Sequence, residues 1–267
     1  MVLISHHLHS PMYFFLSHLS ACDILISTNV VPNTLQILLN NSTSMSVQSC
    51  FAQLYFFGSS AIIENCLLSV MSYDRYLAIY DPLHYSSIMA YPHHYYLAIW
   101  SWSMGFVLAI ITNVLLLQVR FCGPNIIDHF FCDLSPLLGI SCSDSSAVQI
   151  AVAVVAGVIG LLQFLFVLET YICIFKAIFQ ISTTAGRQRA FSTCSAHLSV
   201  VCTYYGSLIS LNLVPSKGYS AKFKKTLSVL NTVLTPLFNP IIYSLKNKEL
   251  QEALRQLTFL RKHFKKS

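Results

Sequence analysis

Two acidic residues lie deep inside apolar stretches of the sequence, where a charge is costly. Asp23 and Glu64 each stand among mostly apolar neighbours. A charged side chain at the centre of a bilayer costs about 2.5–3.5 kcal/mol on insertion scales. Such a residue must face the interior of a helix bundle, bind a partner or carry a proton. If the two carboxylates face each other, they would share a cation or a proton. The alternative is a neutral hydrogen-bonded pair that serves packing only.

A charged pair followed by a tyrosine, Asp74-Arg75-Tyr76, stands where a long apolar stretch ends. At the end of a membrane-spanning helix a charged pair avoids the full bilayer penalty and can meet water or a protein partner. The spacing alone is equally typical of an ordinary ion pair at a helix end, which contributes at most about 1 kcal/mol when it is exposed.

The nine cysteines fall into two groups. Cys50, Cys122, Cys132 and Cys142 stand in segments that we expect on the oxidising side of a membrane, where four cysteines allow three pairings. The other five lie in or near apolar stretches and are most simply small buried residues: Cys22, Cys66, Cys173, Cys194 and Cys202. The segment 129–133 carries the side chains of a soft-metal site, but a disulfide at Cys132 would remove its thiolate, so we expect no metal there.

The composition is typical of a membrane protein. Of the 267 residues, 55% are apolar and only 10% are charged, whereas soluble domains carry about 25% charged residues. High hydrophobicity also excludes disorder. A membrane span needs about 20 mostly apolar residues in a helix, and six stretches qualify. We predict an all-α polytopic helix bundle, forming a single domain over residues 1–267, with spans near 12–39, 50–73, 94–119, 147–175, 190–214 and 226–245.

The basic residues predict the orientation of this bundle. Most of the 16 Lys and Arg residues fall on one side of the membrane if both termini are cytoplasmic, as the positive-inside rule favours. Asn40 and Asn41 begin glycosylation sequons in a loop assigned to the outside, although chance sequons in a polar loop are an equal alternative. In the segment 246–264, leucines recur at helical spacing opposite charged residues. We therefore predict an amphipathic helix on the inner leaflet, in contact with membrane lipids.

Five stretches resemble one receptor family. The residues MSYDRYLAIYDPLHY at 71–85 are similar to the characteristic segment of vertebrate odorant receptors, within the rhodopsin-like G-protein-coupled receptors. Four further stretches match that family in order along the chain: PMYFFL at 11–16, FCGPN at 121–125, RAFSTCSAHL at 189–198 and PLFNPIIYSL at 236–245. The resemblance covers nearly the whole chain.

The resemblance implies a rhodopsin-like seven-helix fold with an outside N-terminus. The six predicted spans would correspond to family helices 2 to 7, and the chain opens at what is expected to be the last turn of helix 1. We expect a bundle without most of helix 1 to pack weakly, because helix association in lipid depends on close contact. A truncated, non-signalling receptor remnant is therefore one alternative function.

The resemblance also implies roles for individual residues. A sodium ion would lie near Asp23, Glu64 and Asn239, with no other cofactor. The disulfides would be Cys50–Cys132 and Cys122–Cys142. The residues of the switch that engages a G protein would be Asp74, Arg75, Tyr76, Tyr171, Arg189, His197, Asn239, Pro240 and Tyr243.

The implied function is an odorant receptor of the plasma membrane. It would bind small, mostly apolar organic molecules and activate a heterotrimeric stimulatory olfactory G protein, without a nucleic-acid partner. The expected pocket wall comprises Phe57, Gly58, Ala61, Ile62, Tyr205, Leu208, Ile209 and Asn212. An ion or solute transporter that uses Asp23 and Glu64 is a more remote alternative, because repeated halves with broken helices are absent from the sequence. The sequence contains no hydrolase motif of the kind that would indicate an enzyme.

Overall fold

Long helices dominate the computed structural model, which describes residues 10–122, 126–214 and 220–246. Within these residues the chain forms eight helices and no strand, so the predicted all-α class is confirmed. The helices are α1 (Pro11–Asn40), α2 (Val47–Tyr80), α3 (Pro82–Ile88), α4 (His93–Leu116), α5 (Leu134–Gly139), α6 (Ser146–Gln180), α7 (Thr184–Leu213) and α8 (Ser220–Lys246).

Several helices begin or end at residues suited to that place. The Ser46 side chain accepts a hydrogen bond from the backbone N–H of Ser49 at 3.1 Å and caps α2, as serine does at many helix starts. Thr183 caps α7 in the same way. Pro11 and Pro82 stand in the first turns of α1 and α3, where a missing N–H costs nothing. Asn41 ends α1 in the left-handed conformation, with φ 59°.

The six long helices overlap the six predicted spans. Several of them extend beyond the predicted ends, whereas α4 ends at Leu116 and α7 at Leu213, before the predicted ends at 119 and 214. The α2 helix continues to Tyr80 and α6 to Gln180, because polar residues can prolong a helix past the apolar part that a bilayer covers. Among the described residues, four helices are long and apolar enough to cross a membrane by length and composition alone: α1, α2, α4 and α6. The α7 helix is rich in Ser and Thr and α8 begins with lysines, which makes both less apolar. The predicted interfacial helix 246–264 lies almost wholly beyond the described residues.

The α2 helix forms the centre of the bundle. It packs against α1, α4, α6 and α7, and α8 packs against α1 and α7. The α4 backbone comes close to α2 at Gly105, where an added Cβ would lie 2.7 Å from the Ser59 carbonyl oxygen, so only a glycine lets the two backbones come this close. Large apolar side chains of α4 and α6 point outward, as expected of helices in lipid.

Candidate functional site

At one end of α2, a buried ion pair is held by a tyrosine from the next helix. Arg75 Nε donates to Asp74 Oδ2 at 2.9 Å, and the hydroxyl of Tyr85 donates to the other carboxylate oxygen at 2.8 Å. The α2 helix ends at Tyr80, and α3 starts at Pro82 and turns back, which brings Tyr85 to Asp74. Burial, followed by the negative charge of Asp74, raises the pKa of Tyr85. The Tyr85 hydroxyl therefore stays protonated and can act as a donor.

Tyr76 follows this pair in sequence but lies outside it. Its ring stacks on Tyr80, with the ring centroids 5.0 Å apart. Tyr76 is the residue after Arg75, and successive residues are about 100° apart around a helix. The Tyr76 side chain therefore projects in a different direction from that of Arg75. The structure therefore separates Tyr76 from the Asp74–Arg75–Tyr85 group.

A second buried polar contact joins α6 to α7. The Tyr171 hydroxyl lies 2.6 Å from His197 Nδ1, and the two rings are stacked at 5.9 Å. Both side chains are buried. A hydrogen bond in such surroundings is strong and costly to leave unmade. It therefore fixes the relative position of the two helices that the switch hypothesis requires to move apart.

The third polar group joins α1, α2 and α8. The amide nitrogen Nδ2 of Asn239 donates to Asp23 Oδ1 at 2.9 Å and to Glu64 Oε1 at 3.2 Å. All three residues are buried. One amide thus bridges the two carboxyl groups that the sequence placed in apolar surroundings. A cavity of about 390 Å³ between α1 and α8 reaches Asp23. Its wall is mostly apolar and includes Ile24, Pro236 and Pro240, beside the hydroxyl-bearing residues Ser20, Ser27 and Thr28.

The remaining predicted switch residues lie close along α7 and α8. Pro240 follows Asn239 inside α8, and the side chain of Tyr243 one turn later is almost fully buried. Within the described residues, the Tyr243 hydroxyl has no hydrogen-bond partner. Arg189 is a residue of α7, but its side chain is not among those that the structure describes.

Towards the other end of the bundle, α2, α4, α6 and α7 surround a cavity of about 300 Å³. Of the predicted pocket residues, Ala61, Ile62 and Leu208 line it. Polar side chains contribute little of the wall and belong to Asn65, Thr112, Gln163 and Tyr204. This arrangement suits a small, mostly apolar molecule that a few polar groups orient.

The other five predicted pocket residues are not among the residues that line this cavity. The Tyr205 hydroxyl donates to Asn65 Oδ1 at 2.7 Å. Phe57 packs against Phe131 of the following loop, with the centroids 5.1 Å apart. A Cβ added at Gly58 would meet no atom within 4 Å. Ile209 and Asn212 are on the exposed side of α7.

Sequence reasoning missed the wall that α4 supplies and the amides inside the cavity. Leu108, Ile111, Thr112 and Leu115 of α4 line the cavity, as does Gln163 of α6. A signal for Gln163 was present, because it is a polar residue in the middle of the most apolar of the four candidate spans. For α4 no comparable signal exists, since its apolar residues surround the whole helix.

The loop between α4 and α6 is tied to the bundle at the end opposite Arg75. The structure contains both expected disulfides, with Cα atoms 5.4 Å apart for Cys50–Cys132 and 5.6 Å apart for Cys122–Cys142. Gln53 supports the first, because its Oε1 accepts from the backbone N–H of Cys132 at 2.8 Å. Burial lowers the pKa of His129 in this loop. Among the described residues, no group of three His, Cys, Asp or Glu side chains could hold a metal ion.

The two predicted glycosylation sites lie at the same end. Asn40 is the last residue of α1, Asn41 follows it, and both are exposed. Exposure is a requirement for an acceptor asparagine, and the position agrees with that of the disulfides on one side of the bundle.

Comparisons with known proteins agree with the sequence pattern. The family described as "Olfactory receptor" matches residues 1–262. Olfactory receptor 11A1 of Homo sapiens is 43% identical over 256 residues, which cover 96% of this chain and 81% of that protein. Olfactory receptor 6F1 of Homo sapiens is 44% identical over 254 residues, or 95% of this chain and 82% of that protein. A crystal structure of squid rhodopsin superposes with a TM-score of 0.76 at 17% identity, covering 96% of this chain and 73% of that chain. This last likeness concerns the fold.

Proposed function

Because the chain belongs to the olfactory receptor family, we propose that it detects small, mostly apolar odorants and activates a heterotrimeric stimulatory olfactory G protein. Members of this family are multi-pass membrane proteins that signal through G proteins and are not enzymes.

One observation carries this proposal: the helices that line the cavity also hold the polar contacts at the opposite end of the bundle. Ala61 and Arg75 both belong to α2, Gln163 and Tyr171 to α6, and Leu208 and His197 to α7. A ligand that binds one arrangement of α2, α6 and α7 better than another must therefore shift the contacts at the far end.

The polar contacts would form the switch. In the resting arrangement Asp74 and Tyr85 retain Arg75, and the Tyr171–His197 contact holds α6 to α7. On activation α7 would move outward, Arg75 would leave Asp74 to face the G protein, and Tyr171 and Tyr243 would turn towards it. The buried Tyr243 hydroxyl gains a partner in that arrangement. Pro240 supplies the local irregularity in α8 that the movement needs.

The buried carboxyl groups would hold a sodium ion or share a proton in the resting state. Asp23 and Glu64 both accept from Asn239, so two acidic groups meet in a site without a described cationic side chain. The hydroxyl of Ser60, one turn before Glu64 on α2, is buried without a hydrogen-bond partner in the described part of the chain. Oxygen ligands of this kind suit a hard cation.

The proposed orientation puts the Arg75 end and the C-terminus in the cytoplasm, with the receptor in the plasma membrane. The disulfides support this orientation, because they persist on the oxidising side of a membrane, and they lie at the opposite end of the bundle from Arg75. Asn40 and Asn41 would then face outward as acceptors for a glycan.

A cell assay with a cavity-filling variant tests this function. The chain is expressed with the stimulatory olfactory Gα subunit, and cAMP is measured against a panel of volatile compounds while surface labelling reports its amount. We expect a dose-dependent rise for part of the panel. The variant Ala61→Phe, which fills the cavity, should lose most of that response. Val158→Phe, at an exposed position of α6 outside the cavity, is the matched control.

Two outcomes would contradict the proposal. An Ala61→Phe variant that keeps the full response would show that ligands do not use this cavity. A surface-exposed chain that promotes uptake of a solute without any change in cAMP would instead favour transport.

A further inference from the structure

The cavity among α2, α4, α6 and α7 has one polar corner in an otherwise apolar wall. Most of its lining residues are Leu, Ile, Val and Ala, whereas the side chains of Asn65 and Gln163 meet at one side. Asn65 Nδ2 donates to Gln163 Oε1, which joins α2 to α6. In an apolar cavity the hydrogen-bonding capacity of such a corner decides which polar group a ligand can carry.

Most polar groups of the wall are already engaged. The Thr112 hydroxyl donates to the Leu108 carbonyl oxygen at 3.0 Å, and the Tyr204 hydroxyl donates to the Ala61 carbonyl oxygen at 3.2 Å. Each hydroxyl thus donates its only hydrogen to a backbone carbonyl oxygen. These two residues therefore offer a ligand no free donor.

Asn65 is engaged on both sides of its amide. Its oxygen accepts from the Tyr205 hydroxyl at 2.7 Å, and its nitrogen donates to Gln163. The chain Tyr205–Asn65–Gln163 therefore runs from α7 through α2 to α6, with each donor pointing towards Gln163. Asn65 Nδ2 therefore has a strong acceptor in Gln163 Oε1, whereas the amide nitrogen of Gln163 is the terminal donor of the chain.

The Gln163 amide nitrogen has a poor partner. Its contact in the described part of the chain is the Cys66 sulfur at 3.1 Å, and a thiol sulfur accepts hydrogen bonds only weakly. An amide nitrogen carries two hydrogens, so Gln163 keeps donor capacity at the cavity wall. A ligand without an acceptor would cover this donor and leave it unpaired, which is unfavourable in apolar surroundings.

We infer that this cavity selects odorants that carry a hydrogen-bond acceptor oxygen, such as an aldehyde or ketone carbonyl, on a small apolar skeleton. The oxygen accepts from Gln163 Nε2, and the skeleton lies against the apolar wall. The cavity, at about 300 Å³, is at the lower end of the range for ligand sites, so the skeleton is small. This inference rests on the proposed function and adds the chemical class of the ligand.

Paired ligands test the inference. The purified receptor is titrated with volatile aldehydes and ketones, each paired with the hydrocarbon of the same carbon skeleton, and its thermal unfolding midpoint is followed. Cellular cAMP is measured for the same pairs. We expect the carbonyl member to bind about tenfold more tightly, the contribution of one good hydrogen bond. Comparing the ratio between receptor variants cancels the different partitioning of the two ligands into membranes.

Two substitutions at one position separate recognition from packing. Gln163→Met keeps the length of the side chain without its donors, so the carbonyl preference should fall to near unity while hydrocarbon binding persists. Gln163→Glu, assayed at a pH high enough to ionise the new carboxyl group, offers acceptors only and should bind alcohols better than carbonyl compounds, a reversal that a packing defect does not produce. Gln149→Met, an exposed glutamine of the same helix, should leave the preference unchanged.

The outcomes distinguish this inference from the proposed function. Equal binding of carbonyl and hydrocarbon members by the unmodified receptor overturns the inference and leaves odorant binding intact. An equal loss of both members in Gln163→Met assigns Gln163 to packing and overturns it as well. If no member of either class binds or raises cAMP, the proposed function fails and the inference fails with it.

Discussion

The two ends of this helix bundle are packed in different ways. At the end around Arg75, which is the inner end in the proposed orientation, buried polar side chains pair with one another in small closed groups. Towards the outer end, α2, α4, α6 and α7 leave a largely apolar cavity with one polar corner, and a disulfide ties the loop above it to α2. The inner end is filled by its own contacts, whereas the outer half keeps room for another molecule.

This contrast explains how one bundle can serve as a receptor. Polar pairs have discrete arrangements, because a partner is either bonded or released, so the inner end suits a switch between two states. Apolar contacts lack direction and tolerate ligands of different outline, so the outer half suits recognition of many small molecules. The central helix α2 passes through both parts, so in the proposed mechanism it transmits a change from one to the other.

The burial of the two longest helices follows the same division. In α2, 67% of the most apolar window is buried in the protein, against 6% in α6. The α2 helix therefore cannot move without disturbing every neighbour. The α6 helix turns most of its apolar surface away from the other helices, so fewer of its side chains are held by neighbours. We expect substitutions that break inner polar groups to have larger effects than those at the outer surface.

The largest effect is expected for the Asp74–Arg75 pair. Arg75→Ala leaves Asp74 as an uncompensated buried charge, which costs about 3–5 kcal/mol in other proteins. The thermal unfolding midpoint of the purified receptor should fall steeply, and ligand-induced cAMP should be lost. Unfolding in detergent and cAMP in cells measure the two effects separately.

The double variant Asp74→Asn/Arg75→Gln is the control for this prediction. It removes both charges together, so most of the stability should return, while signalling stays absent because no guanidinium is left to face the G protein. A double variant that signals normally would exclude the proposed role of Arg75.

A smaller effect is expected for the shared cation. If sodium binds between Asp23 and Glu64, sodium chloride should stabilise the purified receptor relative to a bulky organic cation at equal ionic strength. The gain is about 1.4 kcal/mol at roughly ten times the dissociation constant. Glu64→Gln should abolish this dependence, whereas Glu169→Gln, at an exposed position of α6, should keep it. An unmodified receptor equally stable in both salts would favour a shared proton.

Much of this organisation could be predicted from the sequence. The all-α class, the membrane bundle and the family resemblance are confirmed, because long apolar stretches and five ordered motifs leave few alternatives. The sequence also predicts that Asp23 and Glu64 have a partner or carry a proton, because a charge in an apolar stretch is costly. In the structure both carboxyl groups accept a hydrogen bond from Asn239, a residue that the family resemblance also implies to be near them.

Other features could not be predicted from the sequence, for a physical reason. The α4 and α6 helices are apolar on all sides, so no periodicity marks the face that lines the cavity. The contact of Tyr85 with Asp74 depends on how α3 turns back after Pro82, and helix length alone does not determine this turn. The links of Asn65 to Gln163 and Tyr205 join residues 98 and 140 positions apart.

The smallest effect is expected at the outer surface, where Lys225 of α8 pairs with Asp128 of the outer loop. Lys225 Nζ also lies over the Phe130 ring, 4.7 Å from its centroid. The hydrogen bond from Lys225 is the main reason why the pKa of Asp128 lies below its usual value. The contribution of the pair is therefore present above the ordinary carboxyl range and is lost as the pH falls through the lowered pKa.

A double-mutant cycle with Asp128→Asn and Lys225→Met measures this contribution. Because the Asp128 side chain is 90% exposed, water screens the pair, and we expect a coupling below about 1 kcal/mol at neutral pH. The coupling should shrink in high salt and vanish well below about pH 4. A coupling as large as that of the Asp74–Arg75 pair, and insensitive to salt, would remove the contrast between the two ends. It would show that the outer surface also depends on charge pairs shielded from water.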